Sequence, residues 1–220
     1  MRELLKGVFT DGRQLYTVNS VPETRVYGEQ LVKFKGQEFR AWNPFRSKLA
    51  GALKKGLKYW PFNENSNVLY LGAATGTTLS HISDICPKGI SFGVDISGKT
   101  TQKLLTVCQK RKNIFPVLES AEFPENYKSY LEGMKVDLLY QDISQKNQAE
   151  ILLKNAELFL PKNGIAFFIV KAKSISSTLS TEKIVRLEEE KIRECFEVLQ
   201  KIPLMPFDKH HAFYVLKKRG

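Results

Sequence analysis

Apolar and polar positions recur with two different periods along this 220-residue chain, and the change falls near residue 55. Before it, short apolar runs are punctuated by turn residues. Val8-Phe9-Thr10, the Asp11-Gly12 pair and residues 15–18 predict a β-hairpin, and residues 26–34, Lys35-Gly36 and 38–42 predict a second. Asn43-Pro44 breaks that run. Residues 47–57 then predict a helix with Leu49, Ala52 and Leu53 on one face. Residues 1–55 thus read as a small antiparallel N-terminal β-sheet domain leading into a helix, and 56–220 as the main domain.

After residue 67 short apolar runs alternate with helical patterns. Strands are predicted over 68–71, 90–94, 114–118, 136–140, 165–170 and 212–216, with helices over 77–84, 99–111, 148–159 and 182–200. The last helix rests on Val185, Ile192, Cys195, Phe196 and Leu199. Repeated strand–helix units imply an α/β fold with a mostly parallel sheet covered on both faces. Ligands in such sheets bind at the carboxyl ends of the strands. Gly72, Asp95, Asp142 and Lys171 all fall at or near those ends.

The first strand enters the turn Gly72-Ala73-Ala74-Thr75-Gly76, where Thr77 and Thr78 are placed to cap the following helix. Glycine lets backbone approach a ligand closely, and a helix N-terminus favours polar ligands. The glycines are spaced G-x-x-x-G, which is neither the dinucleotide fingerprint nor a phosphate loop. Asp95 lies about 20 positions on, where a carboxylate takes ribose hydroxyls. A ribose acceptor without phosphate-loop chemistry points to a nucleoside lacking phosphates, and S-adenosylmethionine fits.

Composition sharpens this in one respect. The apolar content of 42% is ordinary, but 34 Lys+Arg against 23 Asp+Glu give a net charge of +11, which points to a polyanion and most simply to nucleic acid. The three cysteines form no C-x-x-C pair, and the three histidines, His81, His210 and His211, make no metal-ligand pattern, so no metal is expected. No signal peptide is visible. The apolar run 165–170 is far too short to cross a membrane.

Asp142 and Lys171 each end an apolar strand beside the glycine turn. A Lys–Asp–Lys arrangement suits methyl transfer to a sugar hydroxyl: an ammonium stabilises developing alkoxide charge, and a carboxylate orients the ammonium.

The segments WNPFRSKLA (42–50), VLYLGAATGTTLSHISDI (68–85), NIFPVLESAEFP (113–124), LLYQDISQKNQAEIL (138–152) and FFIVKAKSI (167–175) resemble fibrillarin, the family of RNA 2′-O-methyltransferases of box C/D ribonucleoproteins. The resemblance spans essentially the whole chain. It implies a Rossmann-like class I S-adenosylmethionine-dependent methyltransferase fold and a catalytic set of Lys48, Asp142, Lys171 and His211. It implies cofactor contacts from Gly72, Ala73, Thr77, Thr78, Asp95, Ile96, Ser120, Ala121, Asp142 and Gln145. Implied partners are box C/D guide RNA with its target rRNA or tRNA, a Nop-domain scaffold protein and a kink-turn-binding ribosomal-type protein. Guide pairing would choose the nucleotide, so a basic surface that follows phosphates suffices; Arg40, Arg46, Lys48, Lys54, Lys55, Lys171 and Lys173 are candidates.

Three departures from the family pattern carry expectations. Asp95-Ile96 replaces Glu-Phe, keeping a carboxylate that is one methylene shorter. Ser120 replaces an Asp that takes the adenine amino group, which predicts weaker cofactor binding. His210-His211-Ala212 replaces Asp-His-Ala, so the histidine loses an acidic neighbour. A Gly/Arg-rich extension of the eukaryotic kind is not seen, so the resemblance is more to the archaeal form than to a trimmed eukaryotic one; it implies a cytoplasmic location if archaeal and a nucleolar one if eukaryotic. Two other readings are a structural subunit that has lost catalysis and a protein glutamine methyltransferase. Phe34, Phe39 and Trp42 read as core of the N-terminal sheet rather than as a partner surface.

Overall fold

The computed structural model describes residues 1–220. Two sheets organise the chain. The first contains β1 (Arg2–Leu5), β2 (Val8–Thr10), β3 (Leu15–Val18), β4 (Leu31–Phe34) and β5 (Gln37–Trp42), all antiparallel in the order β1-β2-β3-β5-β4. The seven-stranded second sheet has the order β11-β12-β10-β9-β6-β7-β8. Its parallel body is β6 (Val68–Leu71), β7 (Ser91–Asp95), β8 (Ile114–Leu118), β9 (Leu138–Gln141) and β10 (Ile165–Lys171). Two strands run against neighbours at one side, β11 (Phe196–Pro203) and β12 (His211–Lys218).

Alternate residues of the parallel strands face opposite layers. Leu69, Leu71, Leu139, Phe168 and Val170 enter one core cluster, beneath helices α4 (Gln148–Phe159) and α6 (Thr181–Ile192). Val68, Tyr70, Leu138, Tyr140, Phe167 and Ile169 enter the other, beneath α1 (Lys48–Lys54), α2 (Thr77–Ile85) and α3 (Gly98–Lys110). The second cluster also contains Val8, Leu15 and Trp42, so the N-terminal sheet continues the core of the main sheet. Phe39 and Trp42 are buried as expected, whereas Phe34 stands at the exposed end of β4.

Four expectations are corrected. The predicted strand 26–34 is a strand only from Leu31, because the Glu29 carboxylate accepts the backbone N–H groups of Val26 and Tyr27 at 2.8–3.1 Å and winds residues 26–29 into a loop. The predicted helix 182–200 ends at Ile192. Residues 196–203 pair with β12 instead, and a register shift between Val198 and Gln200 breaks the alternation that would have revealed a strand. Thr77 and Thr78 do not cap α2: Gly76, at φ 83°, occupies the cap position without a side-chain bond. Arg40 is no surface cation. It is fully buried, with Nε donating to Glu29 and Nη1 to Asp84, both at 2.6 Å. Asp84 also accepts from Arg111 Nη2 at 3.0 Å, so this network ties the N-terminal sheet to α2 and to the end of α3.

Residues 124–131 form a 3-10 segment and Ala172–Ile175 a one-turn helix, α5; neither was expected from the pattern. No helix is long and apolar enough to cross a membrane.

Candidate active site

The carboxyl ends of β6, β7, β9 and β10 converge on a cavity of about 430 Å³. Gly72, Asp95, Ile96, Ala121, Asp142, Gln145 and Lys171, all among the residues that the pattern or the resemblance singled out, line it. Ala74, Val94, Ile143 and Ser144 line it as well, and sequence reasoning missed them although each adjoins a residue it singled out. Gly72 adopts φ 85°, and a Cβ there would meet the Asp142 carbonyl oxygen at 2.5 Å. Only glycine lets the cofactor-type turn abut the strand end that carries Asp142.

Asp95 is held by its own loop. Its Oδ2 accepts the Ala74 N–H at 2.8 Å, and its Oδ1 accepts the Ser97 N–H and the Thr100 hydroxyl, each at 2.9 Å. A carboxylate has about four lone-pair sites. Three are engaged, so Oδ2 keeps one for a ligand hydroxyl. Ile96 beside it is 65% exposed and offers an apolar flank at the cavity mouth. These residues suit the adenosine part of S-adenosylmethionine: a free carboxylate acceptor for ribose, an apolar flank for a base, and a cavity within the size range of small-ligand sites.

Other predicted contacts sit elsewhere. Ala73 is buried in the core cluster, and its N–H donates to the Val94 carbonyl at 3.1 Å. Thr78 is buried too, its hydroxyl donating to Ser47 Oγ at 3.0 Å. Ser47 is the N-cap of α1, accepting the Ala50 N–H, so this bond fixes the start of α1 against α2. Thr77 opens α2, and Ser120 Oγ accepts the Glu122 N–H at 3.3 Å; neither lines the cavity.

All four predicted catalytic residues come together. Lys171, ending β10, places Nζ 2.8 Å from Asp142 Oδ1 and donates to the Asp142 carbonyl at 2.9 Å. Lys48, the first residue of α1, places Nζ 3.2 Å from Asp142 Oδ1 and donates to Oδ2 at 3.2 Å. Lys48 Nζ also lies 3.5 Å from Asp208 Oδ2. Asp208 in turn accepts from Nδ1 of His211. Charges therefore alternate along one chain of contacts, Lys171, Asp142, Lys48 and Asp208, which ends on the His211 imidazole.

Asp208 was not foreseen. The acidic neighbour missing from position 210 is supplied three residues before the histidine, in the loop between β11 and β12, and the segment DKHHAFYV contains the signal. His210 points elsewhere, with Nδ1 3.0 Å from the Thr181 hydroxyl.

The ion pairs bias the charged forms. Burial works against the Lys48 ammonium, but the carboxylates of Asp142 and Asp208 outweigh it and hold the pKa above the ordinary lysine value. Burial likewise works against the Asp208 carboxylate, and His211 and Lys48 more than offset it, keeping Asp208 below its ordinary range. The Lys171 and Lys48 ammonium groups are cations placed to stabilise an oxyanion.

Comparison with known proteins agrees with this geometry. The family model described as Fibrillarin matches residues 2–220. A fibrillarin-like rRNA/tRNA 2′-O-methyltransferase of Saccharolobus solfataricus is 47% identical over all of this chain and 95% of its own length. The crystal structure of Aeropyrum pernix fibrillarin with natively bound S-adenosyl-L-methionine superposes with a TM-score of 0.85 at 42% identity, covering 92% of this chain and 88% of that one. Fibrillarin from a fibrillarin/Nop5p complex superposes with a TM-score of 0.90 at 40% identity, covering 99% and 100%. The chain belongs to the fibrillarin family.

Proposed function

We propose that this protein is an S-adenosylmethionine-dependent RNA ribose 2′-O-methyltransferase, the catalytic subunit of a box C/D guide-RNA particle acting on rRNA and tRNA. The observation that carries the reading is the Lys171–Asp142–Lys48 cluster at the edge of a cavity of small-ligand size that Asp95 also lines. A relative is named for this activity, and the Aeropyrum pernix neighbour is a crystal structure with the cofactor natively bound. The fibrillarin/Nop5p neighbour supports a Nop-domain scaffold as partner. Guide RNA and a kink-turn-binding protein complete the particle on the strength of family membership.

Gly72, Asp95, Ile96, Ala121 and Gln145 would hold the cofactor, with Asp95 accepting a ribose hydroxyl. When bound, S-adenosylmethionine supplies a methyl group on a sulfonium sulfur. A ribose 2′-hydroxyl is a poor nucleophile, and the site improves it by charge and alignment. Lys48 stays cationic at neutral pH and serves as a hydrogen-bond donor to the 2′-oxygen, not as a base. Asp142 holds both ammonium groups at fixed distances, and Lys171 adds a second positive charge. As the new carbon–oxygen bond forms, the methyl carbon's bond to sulfur would break, its electron pair staying on sulfur as a neutral thioether, and the hydroxyl proton must leave. His211 receives it: Asp208 engages Nδ1, leaving Nε2 free.

The test is methyl transfer from labelled cofactor to an RNA paired with a box C/D guide, with and without scaffold proteins. Label on one ribose, dependent on the guide and lost in Lys171→Ala, is expected. Label on a glutamine side chain, or wild-type turnover in the variant, would overturn the reading.

A further inference from the structure

A second cavity of about 430 Å³ lies on the other side of the glycine turn. Ala74 lines the cofactor-type cavity and Thr75 lines this one, so one turn forms the wall between them. Its other walls are the loop preceding β4, which contributes Thr24 and Arg25, and the exposed side of α3, which contributes Lys103, Thr106 and Lys110. Arg46, two residues before Lys48, completes the rim.

Beside Val26, Tyr27 and Val107, the rest of the lining has one chemical character. It contains five cationic side chains and three threonines and no carboxylate. Arg25, Arg46, Lys103 and Lys110 form no salt bridge anywhere in the molecule and are exposed. The fifth cation, Arg111, is 1% exposed. Its Nη2 is taken by Asp84 and by Asn19 Oδ1 at 3.2 Å, but Nε and Nη1 have no partner at all. Buried donors are nearly always satisfied, so two unpaired guanidinium nitrogens on a residue that lines this cavity leave donor capacity there that no group of the chain meets. A phosphate group supplies several acceptor oxygens and negative charge together, and arginine is the side chain best shaped to meet it.

We propose that this cavity is a phosphate-binding subsite that grips the backbone of the RNA on the far side of the glycine turn from the methyl-transfer cluster. The RNA identity of the phosphate rests on the function proposed above; the anion chemistry rests on the cavity alone. The subsite carries no base-reading group, so it positions the strand without choosing its sequence. It shares only Arg46 with the basic residues first expected at the front of α1 and after β10. Neither Arg25 nor any residue of α3 figured among them.

The test removes rim charge and leaves the buried network intact. In full-length Arg25→Gln/Lys103→Gln/Lys110→Gln, affinity for a 20-nucleotide RNA should fall at least tenfold. The slope of log affinity against log salt should become shallower by about 1.4, corresponding to about two phosphate contacts on a single strand. Affinity for S-adenosylmethionine by calorimetry should stay within twofold. Inorganic phosphate, titrated against both proteins, separates the sources. Saturation of the wild type alone, with RNA affinity equal in the two proteins, would assign the cavity to a free anion. Unchanged RNA affinity, salt slope and phosphate binding would overturn the proposal, as would a variant that loses only its grip on the scaffold protein. Guided methyl transfer by the wild type, measured in the same series, keeps the two readings apart. If it fails, the enzyme assignment falls and the phosphate titration alone decides the cavity.

Discussion

The molecule contains two chains of alternating charge, and they differ chiefly in how much water reaches them. In one, Glu29, Arg40, Asp84 and Arg111 lie side by side with side-chain exposures of 0–1%. In the other, Lys171, Asp142, Lys48, Asp208 and His211 do the same with exposures of 13–31%. The ingredients are alike. Sealed from solvent, such a chain fixes one packing of the N-terminal sheet on α2 and has no opening for a substrate. Left at the edge of a cavity, the same alternation holds ammonium groups where a hydroxyl can reach them.

Activity should break most severely on the open chain. Lys171→Ala is expected to lower methyl transfer about 10³-fold, the scale of a lost acid–base or oxyanion-stabilising group, with the melting temperature almost unchanged. Single-turnover kinetics on guided RNA would show it, and a loss below tenfold would remove Lys171 from the chemistry.

Arg40→Met should do the reverse. It strands two buried carboxylates and should cost about 3–5 kcal/mol of stability in urea unfolding, with turnover at saturating substrate preserved well below the melting point. An unaltered unfolding midpoint would mean that the sealed chain is not what holds the N-terminal sheet.

Smaller effects sharpen the contrast. Asp208→Asn keeps the shape of the link between Lys48 and His211 but removes its charge, and should reduce kcat about tenfold while shifting the pH–rate profile. Asp95→Asn should weaken S-adenosylmethionine binding by about tenfold in calorimetry and leave kcat at saturation alone, because a charged acceptor is lost away from the reacting atoms.

The smallest expected effect is on pH dependence. His81 is fully buried beside Arg40 and Arg111; burial first, and then those two cations, push its pKa well below 6.5. The folded protein therefore takes up fewer protons there than the unfolded chain. The stability linked to this histidine is present above pH 6.5 and declines as pH falls below it. Lys48, with its pKa raised, keeps its contribution up to pH 10.5 and loses it only above that. Thermal melts from pH 8 to pH 5 should slope in the wild type and lie flatter in His81→Gln.

What could be read in the sequence followed local signals. Strand β6, its glycine turn and Asp95 are contiguous pattern, so their place in the site was legible. Lys48, Asp142 and Lys171 were also legible, because strand ends and family motifs mark them. Arg40 misled because a lone arginine in a half-buried strand gives no sign that Glu29 and Asp84 wait for it, 11 and 44 residues away. Residues 196–203 misled because a bulge hides the two-residue period, and their pairing with β12 overrides helical spacing. Asp208 escaped because only the fold of the loop before β12 turns its carboxylate between Lys48 and His211.

The reversed direction of β12 has a consequence for how the protein is made. This strand lies inside the sheet, between β10 and β11, and its first residue pairs with Lys171. A polypeptide still emerging from the ribosome holds the glycine turn, Lys48, Asp142 and Lys171 before residues 211–218 appear. Until then β10 has an open edge, and His211 is absent from the cluster. The nascent chain can thus begin to assemble a cofactor pocket but cannot complete its reactive centre. The charge cluster is completed only when the main sheet closes.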